Sequence, residues 1–257
     1  MEDILPRDLA EVVVKSWERC INMDLPRSLK KPRIVINKEE LNKRLKKNKL
    51  LIEEFEDNLI LIDNFIPPNY LFMLIDSDGI LLDIYLNKEL KDILDKVNFK
   101  LGMSCSEKSF GTNAVSLAME LESSVFLESH MHYCYIFDKW YCFAIPIKIK
   151  EHIKGYINIS SVQCYLKKEL VAITKLLCWQ LKKIQTINDI NLSKKQTNIL
   201  KLLASGLTEY AVAEEMGVSR STIKYHKSEI YDKFRVNSLC EAIVVGLKSG
   251  VISLKDL

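Results

Sequence analysis

The stretch that decides the fold of the C-terminal part of this chain, Ser205–Ser228, reads SGLTEYAVAEEMGVSRSTIKYHKS. Gly206 and Gly217 punctuate it, and glycine commonly ends helices because it adopts the left-handed backbone conformation easily. Each glycine is followed two residues later by a hydroxyl residue, Thr208 or Ser219, of the kind that caps helix N-termini. The stretch therefore predicts two helices separated by little more than Gly217-Val218, which is the spacing of a helix-turn-helix.

Further helices are predicted on both sides of this pair. Ser193 and Gln196 have the spacing of a capping box, in which a hydroxyl and an amide three residues apart satisfy the first backbone N–H groups of a helix. Ser238 and Glu241 have the same form and open a last helix. Residues 192–257 are therefore predicted to be an all-α domain of four short helices.

This pattern resembles the LuxR/NarL-type (GerE-like) helix-turn-helix of bacterial transcription regulators. The resemblance covers Leu192–Ile252, although Gln196 and Ala211 stand where that family usually has acidic residues, and Leu239 where it has arginine. The matched residues are spread over all the predicted helices. They are Leu192-Ser193, Leu200, Leu203, Gly206-Leu207-Thr208, Val212-Ala213, Met216 to Ser219, Thr222-Ile223-Lys224, His226, Ile230, Lys233-Phe234, Val236, Ser238 and Glu241-Ala242.

The resemblance implies that the helix after Ser219 enters the major groove of double-stranded DNA. Lys224, Tyr225 and Ser228 would then face base edges. The remaining predicted DNA contacts are on phosphates or on the exposed face of the same helix, and they are Thr208, Arg220, Thr222, His226 and Lys227.

Net charge alone does not indicate DNA binding, because the whole chain carries a net charge of only +3. From Leu192 on, the chain holds ten Lys/Arg and seven Asp/Glu, a net charge of +3 for the predicted DNA-binding domain. Because that charge is modest, we expect a homodimer that binds two half-sites. The resemblance implies dimerisation through the last helix, around Ala242–Leu247, and RNA polymerase is a further candidate partner.

The N-terminal part changes period from helical to alternating, which predicts an α+β domain over residues 1–187 with an antiparallel sheet flanked by helices. The turn signal Asp76-Ser77-Asp78-Gly79 predicts a hairpin between residues 70–75 and 80–85. Helices are predicted at 7–23, with an apolar stripe that includes Ile21, at 38–57 and at 110–121. Further strands are predicted at 124–128, 141–149 and 155–160.

A long helix is predicted at 166–187, followed by a linker at 188–191. Its apolar residues alternate steps of four and three, with Gln180 as a polar interruption. Two interpretations stay open: a helix packed on its own sheet, or a dimer-forming connector between the two domains. The seam consists of Leu166, Leu170, Ile173, Leu177, Gln180, Ile184 and Ile187.

The N-terminal domain also resembles the GAF-like sensor region of acetoin-operon-type activators. The first matching motif is Ser16-Trp17-Glu18-Arg19-Cys20. The second begins at Gly111-Thr112-Asn113-Ala114-Val115 and continues through His132-Tyr133, Trp140-x-Cys142, Ala144 to Ile147 and Gly155 to Ser160. The family has a glutamate just before the equivalent of His132, and this chain lacks it, so effector identity does not carry over.

A GAF-like fold implies a pocket between the sheet and a cap of loops and helices, suited to a small organic effector. The effector stays unidentified, and no cofactor is expected. The predicted pocket residues are Phe72, Leu74, Phe110, Thr112, Asn113, Val115, His132, Tyr133, Trp140, Cys142 and Ala144.

Two alternatives use cysteine and histidine. His130-x-His132-x-Cys134 would converge if it formed a strand, which makes a metal- or redox-sensing regulator the second hypothesis. A remote alternative is a GAF-fold methionine sulfoxide reductase that uses Cys105 and Cys134. In the leading prediction, the protein is a DNA-binding regulator and not an enzyme.

Several function classes find no support in the sequence. It contains no Gly-x-x-x-x-Gly-Lys-Ser/Thr loop for ATP phosphates, unlike the acetoin-operon-type activators, in which an ATPase domain follows the sensor. Asp76 and Asp78 lie in a turn and lack the setting of a phosphoacceptor. No run approaches the roughly 20 apolar residues of a membrane span, and the start is acidic. We expect a cytoplasmic protein that does not contact the membrane.

Overall fold

The computed structural model of the chain describes residues 6–86, 90–91, 94–95, 98–149, 151–188 and 192–254. The chain divides into two compact units, Met1–Lys182 and Lys183–Leu257. Residues 189–191 of the predicted linker lie outside the described residues, as do the side chains of Ile184 and Ile187 from the predicted seam. Within the described ranges, no helix is both long and apolar enough to span a membrane.

The first unit is built on a five-stranded antiparallel sheet of order β2-β1-β5-β4-β3. Its strands are β1 (Tyr70–Asp76), β2 (Leu81–Leu86), β3 (Val125–Leu127), β4 (Trp140–Ile149) and β5 (His152–Val162). Its helices are α1 (Pro6–Asn22), α2 (Lys38–Lys47), α3 (Lys49–Ile60), α4 (Glu107–Phe110), α5 (Ala114–Leu121) and α6 (Lys168–Asn188). Three 3₁₀ turns cover Asp63–Phe65, Ser129–Met131 and Tyr135–Phe137.

Both faces of the sheet are covered, because its strands carry apolar side chains on both sides. On one face α1 and α5 pack against residues such as Met73 and Cys142. On the other face α3 and α6 pack against residues such as Phe72 and Phe143. The predicted α+β class and the hairpin at Asp76–Gly79 are confirmed.

Three predicted helices need correction. The helix predicted at 38–57 is two helices, since Asn48 ends α2 and its amide donates back to the Arg44 carbonyl. The helix predicted at 110–121 is likewise divided, because Asn113 accepts from the Ser116 N–H and caps a new helix, α5. On α1, Cys20 is buried while the predicted core residue Ile21 is exposed.

The described part of α6 packs on its own sheet. Leu170 and Leu177 are buried against β1, β4 and β5, whereas Gln180 is exposed and does not interrupt a buried seam. Leu176, which is 65% exposed, lies on the opposite face of the helix. The interpretation as a helix packed on its own sheet therefore holds for residues 168–182, because the sheet face needs a cover.

The second unit is a bundle of helices around one core. It comprises α7 (Lys194–Ala204), α8 (Glu209–Glu215), α9 (Arg220–Phe234) and α10 (Leu239–Lys248). Ser193, Thr208, Ser219 and Ser238 cap the four helices as the sequence predicts, and Gly206 and Gly217 both have positive φ.

One cap differs in detail. The predicted second capping box is incomplete, because the carboxylate of Glu241 accepts from the N–H of Asn237, one residue before the Ser238 cap.

Candidate DNA-binding surface and ligand cavity

The helix α9 buries one face and exposes the other. Ile223 and Ile230 hold its inner face in the core of the second unit. Lys224, Tyr225 and Ser228 are exposed, and Ser228 lies four residues after Lys224 and three after Tyr225, so it neighbours both on the outer face. This face carries two hydrogen-bonding side chains and an ammonium group, which suits the edges of bases in a major groove.

Two of the predicted DNA-contacting cations are held by Glu209 in the first turn of α8. The ammonium of Lys227 pairs with one carboxylate oxygen, and Arg220 Nε lies 3.5 Å from the other. The hydrogen bond from Lys227 lowers the pKa of Glu209 below its ordinary value. The carboxylate is therefore charged at neutral pH and offsets part of the positive charge of α9.

The predicted phosphate contacts lie at the edges of this surface. Thr208 is exposed and its hydroxyl accepts from the Ala211 N–H at 3.2 Å, while Thr222 lies in the first turn of α9, 2.8 Å from the Ser219 hydroxyl. His226 is half-buried beside Tyr225, with ring centres 5.5 Å apart. Thr208 and Thr222 lie at the N-termini of α8 and α9, and the partial positive charge of a helix N-terminus favours phosphate.

A small cavity of about 30 Å³ lies in the first unit between the sheet and α5. Its walls include side chains from β1, β4 and β5, from α5, and from the segment 129–137. Six of the predicted pocket residues meet there, and they are Phe110, Asn113, Val115, His132, Trp140 and Cys142.

The other predicted pocket residues do not line this cavity. Phe72 and Leu74 are buried on the opposite face of the sheet against α3 and α6, because alternate residues of a strand face opposite sides. Thr112 is used instead to bond Ser16, with 2.6 Å between the hydroxyl oxygens.

Two further predicted pocket residues are also absent from the cavity lining. Tyr133 donates its hydroxyl to the Leu25 carbonyl at 2.8 Å, and Ala144 is packed into the same core as the cavity walls.

Sequence reasoning missed several cavity residues. Among them, Asn158 and Ser160 alternate with isoleucines in the segment Tyr156-Ile157-Asn158-Ile159-Ser160, and polar residues at alternate positions of an apolar strand were the available signal. Asn158 donates to the Ser160 hydroxyl, which donates to the Cys142 sulfur at 3.1 Å. The missed residues are Met73, Phe99, Met103, Cys105, Ala114, Phe137, Asn158 and Ser160.

The alternatives that need metal-binding or reactive side chains are not supported by the geometry. His130, His132 and Cys134 lie in a 3₁₀ turn and loop, where His130 is exposed while Cys134 donates toward the Phe110 carbonyl. Among the described residues, no three His, Cys, Asp or Glu side chains form a group that could hold a metal ion. Burial raises the pKa of the Cys105 and Cys134 thiols to about 12, which disfavours the reactive thiolate.

Comparison with known proteins finds a family match for the second unit and similar proteins for both units. Residues 190–245 match the family described as bacterial regulatory proteins, luxR family. The chain is 33% identical over 69 residues to the transcriptional regulatory protein YdfI of Bacillus subtilis, a match that covers 27% of this chain and 32% of that protein. The second unit is therefore a LuxR-type helix-turn-helix domain, as the sequence resemblance implies.

The N-terminal region is homologous to a second kind of regulator. The chain is 27% identical over 157 residues to the acetoin dehydrogenase operon transcriptional activator AcoR of Bacillus subtilis, covering 59% of this chain but only 26% of that protein. A structure of the Escherichia coli DhaR(N)-DhaL complex matches with a TM-score of 0.61 at 18% identity, covering 66% of this chain and 58% of that one. The predicted GAF-like fold of the first unit is confirmed.

Proposed function

We propose that this chain is a transcription regulator that binds double-stranded DNA through α9 and whose DNA binding is governed by a small-molecule effector in the cavity of the first unit. The observation that carries the proposal is the exposed face of Lys224, Tyr225 and Ser228 on the second helix of a LuxR-type helix-turn-helix. We further propose that it acts as a homodimer in the cytoplasm, without a metal or cofactor, and that RNA polymerase is a partner.

The effector half of the proposal is supported by the position and lining of the cavity. It lies inside a unit with its own core, at the sheet face covered by α5 and the segment 129–137. Apolar walls with a few hydrogen-bonding groups are typical of sites for small organic ligands. An effector acts by binding one conformation of the regulator more tightly than the other.

The DNA-binding half is tested by selection of binding sites from random duplexes with the purified full chain. We expect enrichment of a defined sequence and an affinity that falls as salt concentration rises. Lys224→Ala should lower the affinity for the selected sequence by about tenfold, in line with the discrimination typical of one base contact. Lys195→Ala, an exposed lysine on α7, is the matched control and should change affinity far less. Selection without any enriched sequence would contradict the proposal.

Effector control needs a separate experiment. The full chain is screened against small metabolites by thermal shift, and each stabilising compound is then added to the DNA-binding assay. We expect at least one compound to change the affinity for the selected duplex. If every stabilising compound left DNA affinity unchanged, effector control of DNA binding would be contradicted.

A further inference from the structure

His132 is the most deeply buried ionisable group at the cavity, at 1% exposure, and only one of its two ring nitrogens is used. Nδ1 lies 3.2 Å from the Ser129 carbonyl oxygen, which can only accept, so Nδ1 carries the proton and donates. Burial lowers the pKa of His132 to about 4, so the ring is neutral at neutral pH. Nε2 is then a bare acceptor, and it finds no hydrogen-bond partner among the described residues.

A buried acceptor without a partner is costly, and native proteins rarely keep one unless something else satisfies it. Since His132 lines the cavity, an occupant of the cavity is the candidate donor for Nε2. The unpartnered Nε2 therefore favours an occupant with an O–H or N–H group that can donate a hydrogen bond to it.

The remaining walls define the body of that occupant. Four aromatic rings close a circuit, with centres 6.1 Å apart for Phe99–Phe110, 4.8 Å for Phe110–Phe137, 5.5 Å for Phe137–Trp140 and 6.1 Å for Phe99–Trp140. No Asp, Glu, Lys or Arg is among the described residues that line the cavity. Such walls favour an uncharged molecule with an apolar, ring-shaped body.

The cavity is too small for a ring-shaped ligand unless a side chain that lines it moves. A void of about 30 Å³ holds a water molecule or two, whereas a protein cavity that binds benzene measures about 150 Å³. Phe137 contacts three of the walls at once, including His132 at 5.3 Å between ring centres. Its ring therefore occupies the space that a ligand ring would take beside His132.

We propose that His132 Nε2 is a specificity-determining acceptor of the effector site, and that the site takes a small uncharged aromatic molecule with a hydroxyl or N–H donor, whose ring replaces that of Phe137. This inference rests on the proposed function only for the word effector. The ligand class itself follows from the unpartnered acceptor, the aromatic walls and the absence of charge among the described lining residues.

The test uses phenol and toluene, which have nearly the same shape because toluene carries a methyl group where phenol carries a hydroxyl. Both are titrated by calorimetry into the wild-type full chain and into Phe137→Ala, which opens the site by the volume of one ring. Phe137→Leu is a milder second variant, so the outcome does not depend on the folding of one protein. We expect phenol to bind Phe137→Ala about tenfold more tightly than toluene, as for one hydrogen bond to a buried acceptor.

His132 variants in the Phe137→Ala background then assign the preference to Nε2. His132→Phe should reduce the preference for phenol to about onefold, and His132→Gln, whose carbonyl oxygen can accept in a similar place, should restore part of it. His130→Phe is the control, because that side chain is exposed, and it should keep the full preference.

Equal affinity for phenol and toluene in Phe137→Ala, a preference that survives His132→Phe, or no binding of either compound to the opened variants would each overturn the inference. These outcomes are distinct from failure of the proposed function. A phenol preference that depends on His132 would stand even if no compound changed DNA affinity, and DNA binding through Lys224 would stand even if the preference were absent.

Discussion

At the scale of single residues, Glu209 sets how much positive charge α9 presents to DNA. Its carboxylate contacts both Lys227 and Arg220. Glu209→Gln should therefore free Lys227 and Arg220 for phosphates and raise the affinity for a non-cognate duplex. It should also steepen the dependence of the binding constant on salt concentration by about one to two phosphate contacts. Fluorescence anisotropy of a labelled duplex over a salt series measures both quantities.

Glu214→Gln is the matched control for Glu209→Gln. Glu214 is an exposed carboxylate on the same helix, so its removal changes the net charge equally. If both variants changed the salt dependence to the same extent, net charge and not the release of Lys227 and Arg220 would explain the effect. Glu209→Gln should lower the free energy of unfolding by less than about 1 kcal/mol, because partly exposed ion pairs stabilise weakly.

His132 should also leave a signature in the pH dependence of stability. Its pKa is about 4 in the folded protein against an ordinary value of 6.5, so the unfolded chain binds the proton more readily. The contribution of neutral His132 to the free energy of unfolding should be fully present above pH 6.5. The free energy of unfolding should then fall by roughly 3 kcal/mol as the pH drops to about 4. Urea unfolding of the wild type and of His132→Phe between pH 4 and 7.5 measures this term as a difference.

His132→Phe should unfold with a shallower dependence on pH in this window, since the titrating group is gone. His130→Phe, which removes an exposed imidazole, should retain the wild-type slope. Parallel curves for wild type and His132→Phe would mean that His132 is protonated as easily in the folded protein as in the unfolded chain.

At the scale of elements, the segment 129–137 that covers the cavity is fastened to α1. Trp17 donates its indole N–H to the Met131 carbonyl at 3.0 Å. The guanidinium of Arg27 lies 4.4 Å from the ring centre of Trp17 and 4.7 Å from that of Tyr135, so it is stacked between the two rings. A ligand that displaces Phe137 therefore acts on the element that α1 holds.

Arg27→Lys should loosen this segment without unfolding the unit. Lysine keeps the charge but loses the planar stacking on both rings and the Nε–H bond to the Tyr133 carbonyl. We expect amide hydrogen exchange in residues 129–137 to quicken by about three- to tenfold, because local opening becomes easier. Arg33→Lys, which changes an arginine bonded to the loop after α1, should leave exchange in 129–137 unchanged.

The elements also show where sequence reasoning succeeds. The second unit was predictable because local residues determine its helix boundaries. Ser193, Thr208 and Ser219 each cap the helix that follows them. The side of β1 that faces the cavity was not predictable, because all seven residues of Tyr70–Asp76 are buried and the central residues Leu71–Ile75 are all apolar, so no polar residue among them marks a face. Met73, and not Phe72, therefore lines the cavity for a reason set by the covering helices.

At the scale of the whole molecule, the proposed function needs a dimer, because one copy of the chain carries one α9 and two half-sites require two. The inner face of α10 is not available for it, because Ala242 and Gly246 are buried in their own unit, and a Cβ on Gly246 would lie 3.0 Å from Leu200. Val244 is 50% exposed on the outer face. A dimer contact through Ala242–Leu247, which we propose from the sequence resemblance, would therefore use the side that Val244 occupies.

Val244→Asp should weaken the dimer, since it places a charge in an apolar contact that would have to be desolvated. Sedimentation velocity should show a shift toward the monomer. Affinity for a duplex with two half-sites about 10 base pairs apart should fall by more than tenfold, while affinity for a single half-site stays unchanged. Val14→Asp, which adds the same charge at an exposed valine of α1, should behave as wild type. Equal losses on one and two half-sites would place Val244 in the folding of the domain and not in its dimer contact.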